Sequence, residues 1–302
     1  MCCLFGIYDY GHSLTAAQKK RLVSALAVAS EDRGTDATGI AYNHNGHLTV
    51  YKRPYPAHLM RFKLPEDALC IMGHTRMTTQ GNEKRNYNNH PFEGTAGIPF
   101  ALAHNGVLYN DLTLRKDKNL PRTRIETDSY VAVQLLAQQD DLSFRSIRSA
   151  VEPLRGTLTL SVLDSRDNLH IIKGNNPLTL YHFPRMGLYV YASTEQILKK
   201  GLKKGMPRTE QPFEVTLREG DILRIDRQGQ YSVERFDTRN LWDGTAHFSW
   251  PYWDVYAGQD EYINDLKSVA SAYGYTPHDI DVFLGYGLCP EEIEEIMCCG
   301  EV

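Results

Sequence analysis

The first three residues, Met1-Cys2-Cys3, place a thiol directly after the initiator methionine. Because the second residue is small, we expect Met1 to be removed, which leaves Cys2 as the N-terminal residue. Cys2 then carries a thiol together with a free α-amine, whose reference pKa is about 7.7–8.0. A nucleophile with an adjacent base is what covalent acyl transfer requires. Cys2 is therefore a candidate catalytic nucleophile, although a cysteine at this position often has no function when it stands alone.

A thiolate that attacks an amide places negative charge on the former carbonyl oxygen, and preorganised hydrogen-bond donors must stabilise that charge. Asn105-Gly106 offers two such donors. The Asn105 side chain carries an amide N–H, and Gly106 has a backbone N–H with no Cβ to block close approach. The structural alternative for this pair is a simple tight turn.

Two charged residues have the chemistry to hold a free amino acid as substrate. Arg76 can form a bidentate pair with an α-carboxylate, and Asp128 can accept hydrogen bonds from an α-ammonium group. The structural alternatives are an ordinary ion pair for Arg76 and a helix cap for Asp128. For either residue considered by itself, the structural role is favoured over a role in substrate binding.

The overall composition is that of a globular protein. The chain has 302 residues, of which 42% are hydrophobic and 23% charged, and its net charge of -4 disfavours non-specific nucleic-acid binding. No apolar run reaches the roughly 18 residues that a membrane span needs, and Asp9 and His12 interrupt any signal-peptide pattern. The spacing of the six cysteines fits neither a disulfide framework nor a zinc site. We expect a cytoplasmic protein with no metal and no cofactor.

The hydrophobic pattern predicts short strands separated by turns, with the helices in separate blocks. A helix is expected from Leu14 to about Ser30 with Ser13 as its N-cap, and Asn45-Gly46 is typical of a β-hairpin turn. Further helices are expected near 128–138 and 142–151. This order favours a mixed α+β sandwich over a doubly wound parallel sheet.

The composition changes near Thr238. Residues 239–259 contain all three tryptophans and are predicted to be an aromatic-rich linker, and residues 260–302 a small helical extension. Thr276-Pro277 is expected to start one of its helices. The apolar sides of these helices are expected to pack on each other or on the catalytic domain, although docking of a partner stays open.

Several polar or glycine-rich segments follow apolar runs in a fixed order, and together they resemble the class II glutamine amidotransferase domain of the N-terminal nucleophile hydrolases. That family begins Cys-Gly-Ile-x-Gly, and Cys2 to Gly6 keeps the spacing, which selects Cys2 over Cys3 as nucleophile. The other matching segments are Arg33-Gly34 through Ala41, Gly73-His74-Thr75-Arg76, Asn89-His90-Pro91, His104-Asn105-Gly106 and Thr127-Asp128. The resemblance covers about residues 2–238.

The resemblance implies a four-layer αββα sandwich and a glutaminase mechanism. Cys2 would be the nucleophile and its own α-amine the base, with Asn105 and Gly106 as the oxyanion hole. L-Glutamine would be held by Arg76 at its carboxylate and by Asp128 at its ammonium. The resemblance also implies that Thr79 lies near the carboxylate, that Arg33 supports the nucleophile region, and that the histidines of these segments are scaffold.

The chain departs from the family pattern at three positions. Cys3 replaces a glycine and offers a second thiol, Met77 replaces an aromatic residue near the ammonia route of some members, and Gln80 replaces a frequent histidine. The glutamine clamp is kept, so L-glutamine is the expected substrate.

Full-length members of the family usually carry a synthase domain that uses the ammonia. The roughly 64 residues after Thr238 are fewer than the about 100 that such a domain needs. We therefore expect a stand-alone glutaminase domain that passes ammonia to a synthase partner in trans. Two alternatives stay open, namely a hydrolase of another γ-glutamyl amide and a catalytically silent binding or regulatory protein on the same fold.

Overall fold

The computed structural model describes most of the chain, namely residues 2–206, 210–241, 263, 266–268, 270–285, 288, 293 and 296–297. The chain divides into two compact units, Met1–Gly244 and Thr245–Val302. The predicted boundaries at 238 and 259 stay predictions.

The first unit contains most of the secondary structure. Its strands are β1 (Cys3–Asp9), β2 (Ala37–His44), β3 (His47–Arg53), β4 (Cys70–Arg76), β5 (Phe92–Ala96), β6 (Ile98–Leu108), β7 (Gly156–Asp164), β8 (Leu169–Lys173), β9 (Thr179–Phe183), β10 (Leu188–Ala192), β11 (Phe213–Glu214), β12 (Asp221–Ile225) and β13 (Tyr231–Arg235). Its helices are α1 (Ala16–Ala29), α2 (Asp111–Asp117), α3 (Tyr130–Ala137), α4 (Phe144–Val151) and α5 (Glu195–Gly205).

The strands form two antiparallel sheets. The first has seven strands in the order β11-β9-β10-β1-β4-β2-β3, and the second has six in the order β13-β12-β8-β7-β6-β5. One hydrophobic cluster lies between the sheets and includes Leu4, Tyr8, Ala101 and Leu163. The helices cover the outer faces, with α1 and α5 on the first sheet and α3 and α4 on the second. The α+β sandwich with αββα layers is confirmed.

Strand β1 shows how the sequence fits this architecture. All seven of its residues are buried, because the strand has neighbours on both edges and layers on both faces. Phe5 and Ile7 belong to the cluster under the helices, whereas Leu4 and Tyr8 belong to the cluster between the sheets. This alternation is the two-residue period of a strand.

Two local predictions have different outcomes. The hairpin between β2 and β3 is confirmed, since His44 pairs with His47 and Asn45 and Gly46 have φ of 51° and 76°, as a tight primed turn requires. The predicted N-cap Ser13 is wrong. Thr15 caps α1 in a capping box with Gln18, whereas the Ser13 hydroxyl donates to the Asp9 carboxylate at 3.1 Å.

The second unit is described only in part. Its helix α6 (Pro277–Gly285) begins where predicted, and the Asp279 N–H donates to Thr276 Oγ1 at 3.2 Å. Leu266, Ala270 and Ile280 are among the residues that form its small apolar cluster. The three tryptophans lie outside the described residues.

His170 on β8 makes the stability of the first unit depend on pH. Burial and, to a smaller extent, the nearby Arg224 charge together lower its pKa from 6.5 to about 3. The unfolded chain therefore binds more protons than the folded chain between these values, so stability falls as pH drops below 6.5. At about pH 5 this residue costs about 2 kcal/mol relative to about pH 7.

We expect His170→Leu to reduce the loss of unfolding free energy between about pH 7 and about pH 5 by about 2 kcal/mol, measured by urea denaturation at both values. Ile172→Val, two residues along the same strand, is the control. It removes a buried methylene and should cost about 1 kcal/mol at both values. An unchanged pH dependence in His170→Leu would contradict the prediction.

Candidate active site

The β1–β4 register brings Cys2 next to Arg76. Cys3 pairs with Thr75 in this antiparallel ladder, so the residue before Cys3 lies opposite the residue after Thr75. The alternation that directs Leu4 between the sheets also directs Cys2 there. Met72 of β4 lies in the same layer, and the two-residue period extends that direction to Arg76.

Asn105 on the opposite sheet faces the same layer. Ala101 and Ala103 on β6 belong to the cluster between the sheets, and Asn105 continues that period. Its side chain is 1% exposed, and its Nδ2 donates to Ser193 Oγ at 3.4 Å. Ser193 Oγ also accepts from the Leu4 N–H at 2.9 Å, so the amide of Asn105 is linked directly to the strand that carries Cys2.

Gly106 occupies a position that excludes a side chain. Its φ is +149°, and a Cβ there would lie 1.9 Å from the carbonyl oxygen of Thr157. Strand β5 pairs with β6 only as far as Leu102, so Gly106 lies beyond the part of β6 that β5 covers. Asn105-Gly106 is therefore part of a strand, and the tight-turn alternative is wrong.

The Cys2 thiol is held neutral by its surroundings. Burial raises its pKa, Asp128 raises it further, and Arg76 and the hydrogen bond with Met77 partly oppose this rise. Its Sγ lies 3.5 Å from the Met77 carbonyl oxygen. A neutral thiol must lose its proton as it attacks, so this site needs a base beside the nucleophile. The Arg33 Nε donates to the Cys2 carbonyl oxygen at 2.9 Å and fixes the backbone there.

Cys3 differs from Cys2 in accessibility. It is 0% exposed and its Sγ lies 3.3 Å from the Leu4 carbonyl oxygen. Burial raises its pKa. Cys2 is partly exposed whereas Cys3 is buried, so of these two thiols Cys2 is the more accessible to a substrate.

Asp128 connects strand β6 to the loop before α3. Its Oδ2 accepts from the Leu108 N–H at 2.6 Å, and the Ser129 hydroxyl donates to Oδ1 at 3.3 Å. It does not cap α3, whose N-cap residue is Ser129, so the helix-cap alternative is wrong. A carboxylate has about four acceptor positions, which leaves room for an ammonium group.

The Arg76 guanidinium is buried and held by its own loop. Its Nη1 donates to Asn89 Oδ1 at 2.7 Å, and its Nη2 donates to the carbonyl oxygens of Gln80 and Gly81. Burial lowers the pKa of this guanidinium, and the nearby Cys2 and Asp128 partly oppose that lowering. Thr79 is exposed in the same loop, and the structure records no side-chain hydrogen bond for it.

Three residues that were not predicted to belong to the site also contact it. Gln80 Oε1 accepts from the Asp128 N–H at 3.0 Å, which ties the Arg76 loop to Asp128. Asn176 Nδ2 donates to the Asn105 carbonyl oxygen at 2.9 Å. The third residue, Ser193, binds Asn105 and Leu4 as described above. Gln80 was noted in the sequence only as a departure from the family pattern, and the sequence around Asn176 and Ser193 carries no signal for these contacts.

The three histidines of the matched segments form a buried, neutral cluster behind the site. His74 Nε2 contacts the His104 carbonyl oxygen at 3.0 Å, and the His74 and His90 ring centroids are 4.2 Å apart. Burial lowers the pKa of His74 to about 3 and also lowers the pKa of His90 and His104. They pack the scaffold under the catalytic layer.

Two negative observations hold for the described part of the chain. Its His, Cys, Asp and Glu side chains form no group of three that could hold a metal ion. None of its helices is long and apolar enough to cross a membrane.

Comparison with curated proteins gives amidotransferase relatives. The chain is 31% identical over 156 residues to glutamine–fructose-6-phosphate aminotransferase of Bacillus anthracis, covering 49% of this chain and 26% of the relative. It is 32% identical over 188 residues to the enzyme of the same name from Staphylococcus epidermidis, and this match covers 59% of this chain and 30% of the relative. The matches thus span about a quarter to a third of these relatives' length. No protein-family model matches.

The fold is shared with a solved amidotransferase. Glutamine phosphoribosylpyrophosphate amidotransferase from B. subtilis superposes with a TM-score of 0.61 at 19% identity, covering 79% of this chain and 50% of that chain. The chain is therefore similar in sequence to part of these glutamine-using aminotransferases, and it shares the fold of a solved glutamine amidotransferase.

Proposed function

We propose that the first unit hydrolyses the side-chain amide of L-glutamine to glutamate and ammonia. The observation that carries this proposal is that the β1–β4 register places Cys2 beside Arg76, while Ser193 links Asn105 to the strand that carries Cys2. It requires that Met1 be removed, because the base is the α-amine of Cys2.

The first half of the reaction forms a thioester. The Cys2 Sγ attacks the amide carbon while the thiol proton passes to the α-amine. The oxyanion accepts hydrogen bonds from Asn105 Nδ2 and the Gly106 N–H, a contribution of typically about 3 kcal/mol per donor. Collapse of the tetrahedral intermediate breaks the C–N bond, and the α-ammonium returns the proton to the leaving ammonia.

The second half regenerates the enzyme. Water attacks the γ-glutamyl thioester, the α-amine takes a proton from that water, and the same two donors hold the second oxyanion. The C–S bond then breaks, the proton returns to sulfur, and glutamate leaves. Throughout, Arg76 binds the substrate α-carboxylate, Thr79 lies near that carboxylate, Asp128 binds the α-ammonium, and Arg33 holds the Cys2 backbone.

The ammonia is proposed to pass to a synthase partner that aminates a separate acceptor. Support comes from the names of the relatives, which act on fructose-6-phosphate or phosphoribosylpyrophosphate in addition to glutamine.

The ammonium end of the proposed clamp can be tested with substrate analogues. We expect glutamate release from L-glutamine, and a kcat/KM lower by about 100-fold for N-acetyl-L-glutamine, whose uncharged nitrogen cannot pair with Asp128. Glutaramate, which lacks the amino group, should lose a similar factor. Equal turnover of all three amides, or no release from L-glutamine by protein shown to lack Met1, would contradict the proposal.

A further inference from the structure

Both proposed oxyanion donors belong to adjacent residues, yet each is held by a different distant segment. The Gly106 N–H belongs to the peptide that joins Asn105 to Gly106, and the carbonyl oxygen of that same peptide accepts from Asn176 Nδ2 at 2.9 Å. The other donor, Asn105 Nδ2, has Ser193 Oγ at 3.4 Å.

The Asn176 contact determines where the Gly106 N–H points. A peptide unit is planar and trans, so its N–H and C=O point in opposite directions. A hydrogen bond to the carbonyl therefore fixes the plane and with it the direction of the N–H. The same bond also polarises the peptide, which makes the N–H a stronger donor. The peptide also lies in the β6–β7 ladder, in which Asn105 pairs with Thr159 and Gly106 with Leu158, so the Asn176 contact acts on a unit that strand pairing already restricts.

The Ser193 contact determines where the Asn105 amide points. An amide nitrogen carries two protons, so one can donate to Ser193 while the second is directed to the oxyanion. Ser193 is 0% exposed. Its N–H donates to the Leu4 carbonyl oxygen and its Oγ accepts from the Leu4 N–H, both at 2.9 Å. The amide is thereby aligned with the strand that carries the nucleophile.

On the basis of the proposed function, we infer that Asn176 and Ser193 are the positioning residues of the oxyanion hole, Asn176 for the Gly106 N–H and Ser193 for the Asn105 amide. Neither residue touches substrate. Each acts through one donor, so their effects are separable by mutation.

A matched control exists at the neighbouring residue. Asn175 Oδ1 accepts from the Leu158 N–H at 3.0 Å and thus braces β7 instead of the Asn105–Gly106 peptide. We expect Asn176→Ala to lower kcat for glutamate release by about tenfold with KM changed less than about twofold. Asn175→Ala should keep kcat within about twofold. Alkylation of Cys2 by iodoacetamide forms no oxyanion, so its rate should be the same in all three proteins.

A double-mutant cycle separates positioning from general damage. Ser193→Ala should lower kcat by about tenfold in the wild type but have no further effect once Asn105→Ala has removed the donor it positions. Asn176→Ala should keep its about tenfold effect in that background, because the Gly106 N–H is still present. If Ser193→Ala fails to fold, Asn176→Ala and its control test the proposal alone.

The inference is overturned if Asn176→Ala lowers kcat no more than Asn175→Ala, or if iodoacetamide alkylation slows in parallel with kcat. It is also overturned if Ser193→Ala costs as much in the Asn105→Ala background as in the wild type. A wild type that releases no glutamate overturns the proposed function, and this inference with it. If the wild type releases glutamate but one of the three mutant results above is found, the inference about Asn176 and Ser193 is overturned and the proposed function stands.

Discussion

Replacing Cys2 with alanine should lower glutamate release by at least about 10⁴-fold, because no other group can form the thioester. The alanine variant keeps a free α-amine and the packing of β1, so it should fold and still bind L-glutamine. The measurement is kcat from released glutamate, with glutamine binding followed by calorimetry.

Cys3→Ala is the matched control for this prediction. The Cys3 thiol is 0% exposed and lies on the helix side of β1, so its loss should change kcat less than about fivefold while lowering the melting temperature. If Cys3→Ala were inactive and Cys2→Ala active, the assignment of the nucleophile would be wrong.

The second large effect is expected at the oxyanion hole. Asn105→Ala should lower kcat by about 10²–10³-fold with little change in KM, because its side-chain donor acts on charge that develops only in the transition state. Asn105→Asp should be at least as damaging, since a carboxylate would repel the oxyanion. Both variants are measured by steady-state glutamate release.

The contrasting variant for Asn105→Ala is Asp128→Asn, which alters the ammonium clamp. It should raise KM for L-glutamine, because the ammonium loses its charged partner in the ground state and the transition state alike. A rise in KM for Asn105→Ala with kcat unchanged would contradict its role as an oxyanion donor.

Much of the site could be predicted because it depends on short segments. Arg76 ends an apolar strand, Asn105-Gly106 lies within another, and Asp128 precedes a helix, so their local positions follow from the hydrophobic pattern. The nearness of Cys2 to Arg76 depends on the register of β1 with β4, and the link of Asn105 to the strand of Cys2 depends on the stacking of two sheets. These are long-range properties that no local pattern encodes.

The unpredicted residues illustrate the same limit. Asn176 is 71 positions from Asn105 in sequence, and Ser193 is 88 positions from it. Both lie just outside strands, where a polar residue is ordinary. Thr194, the residue after Ser193, is the N-cap of the following helix and accepts from the Ile197 N–H. Strand β5 and helix α2 were also not predicted, since their short segments lack a clear period.

We propose that Cys2 is the N-terminal residue of the mature chain and the nucleophile of a site that binds L-glutamine. The most direct test is intact-mass and peptide mass spectrometry of the purified protein, before and after reaction with a diazoketone analogue of L-glutamine. We predict a chain without Met1 and a single adduct on Cys2 that excess L-glutamine prevents. Retained Met1 with no adduct would contradict the account and favour a catalytically silent binding protein on the same fold.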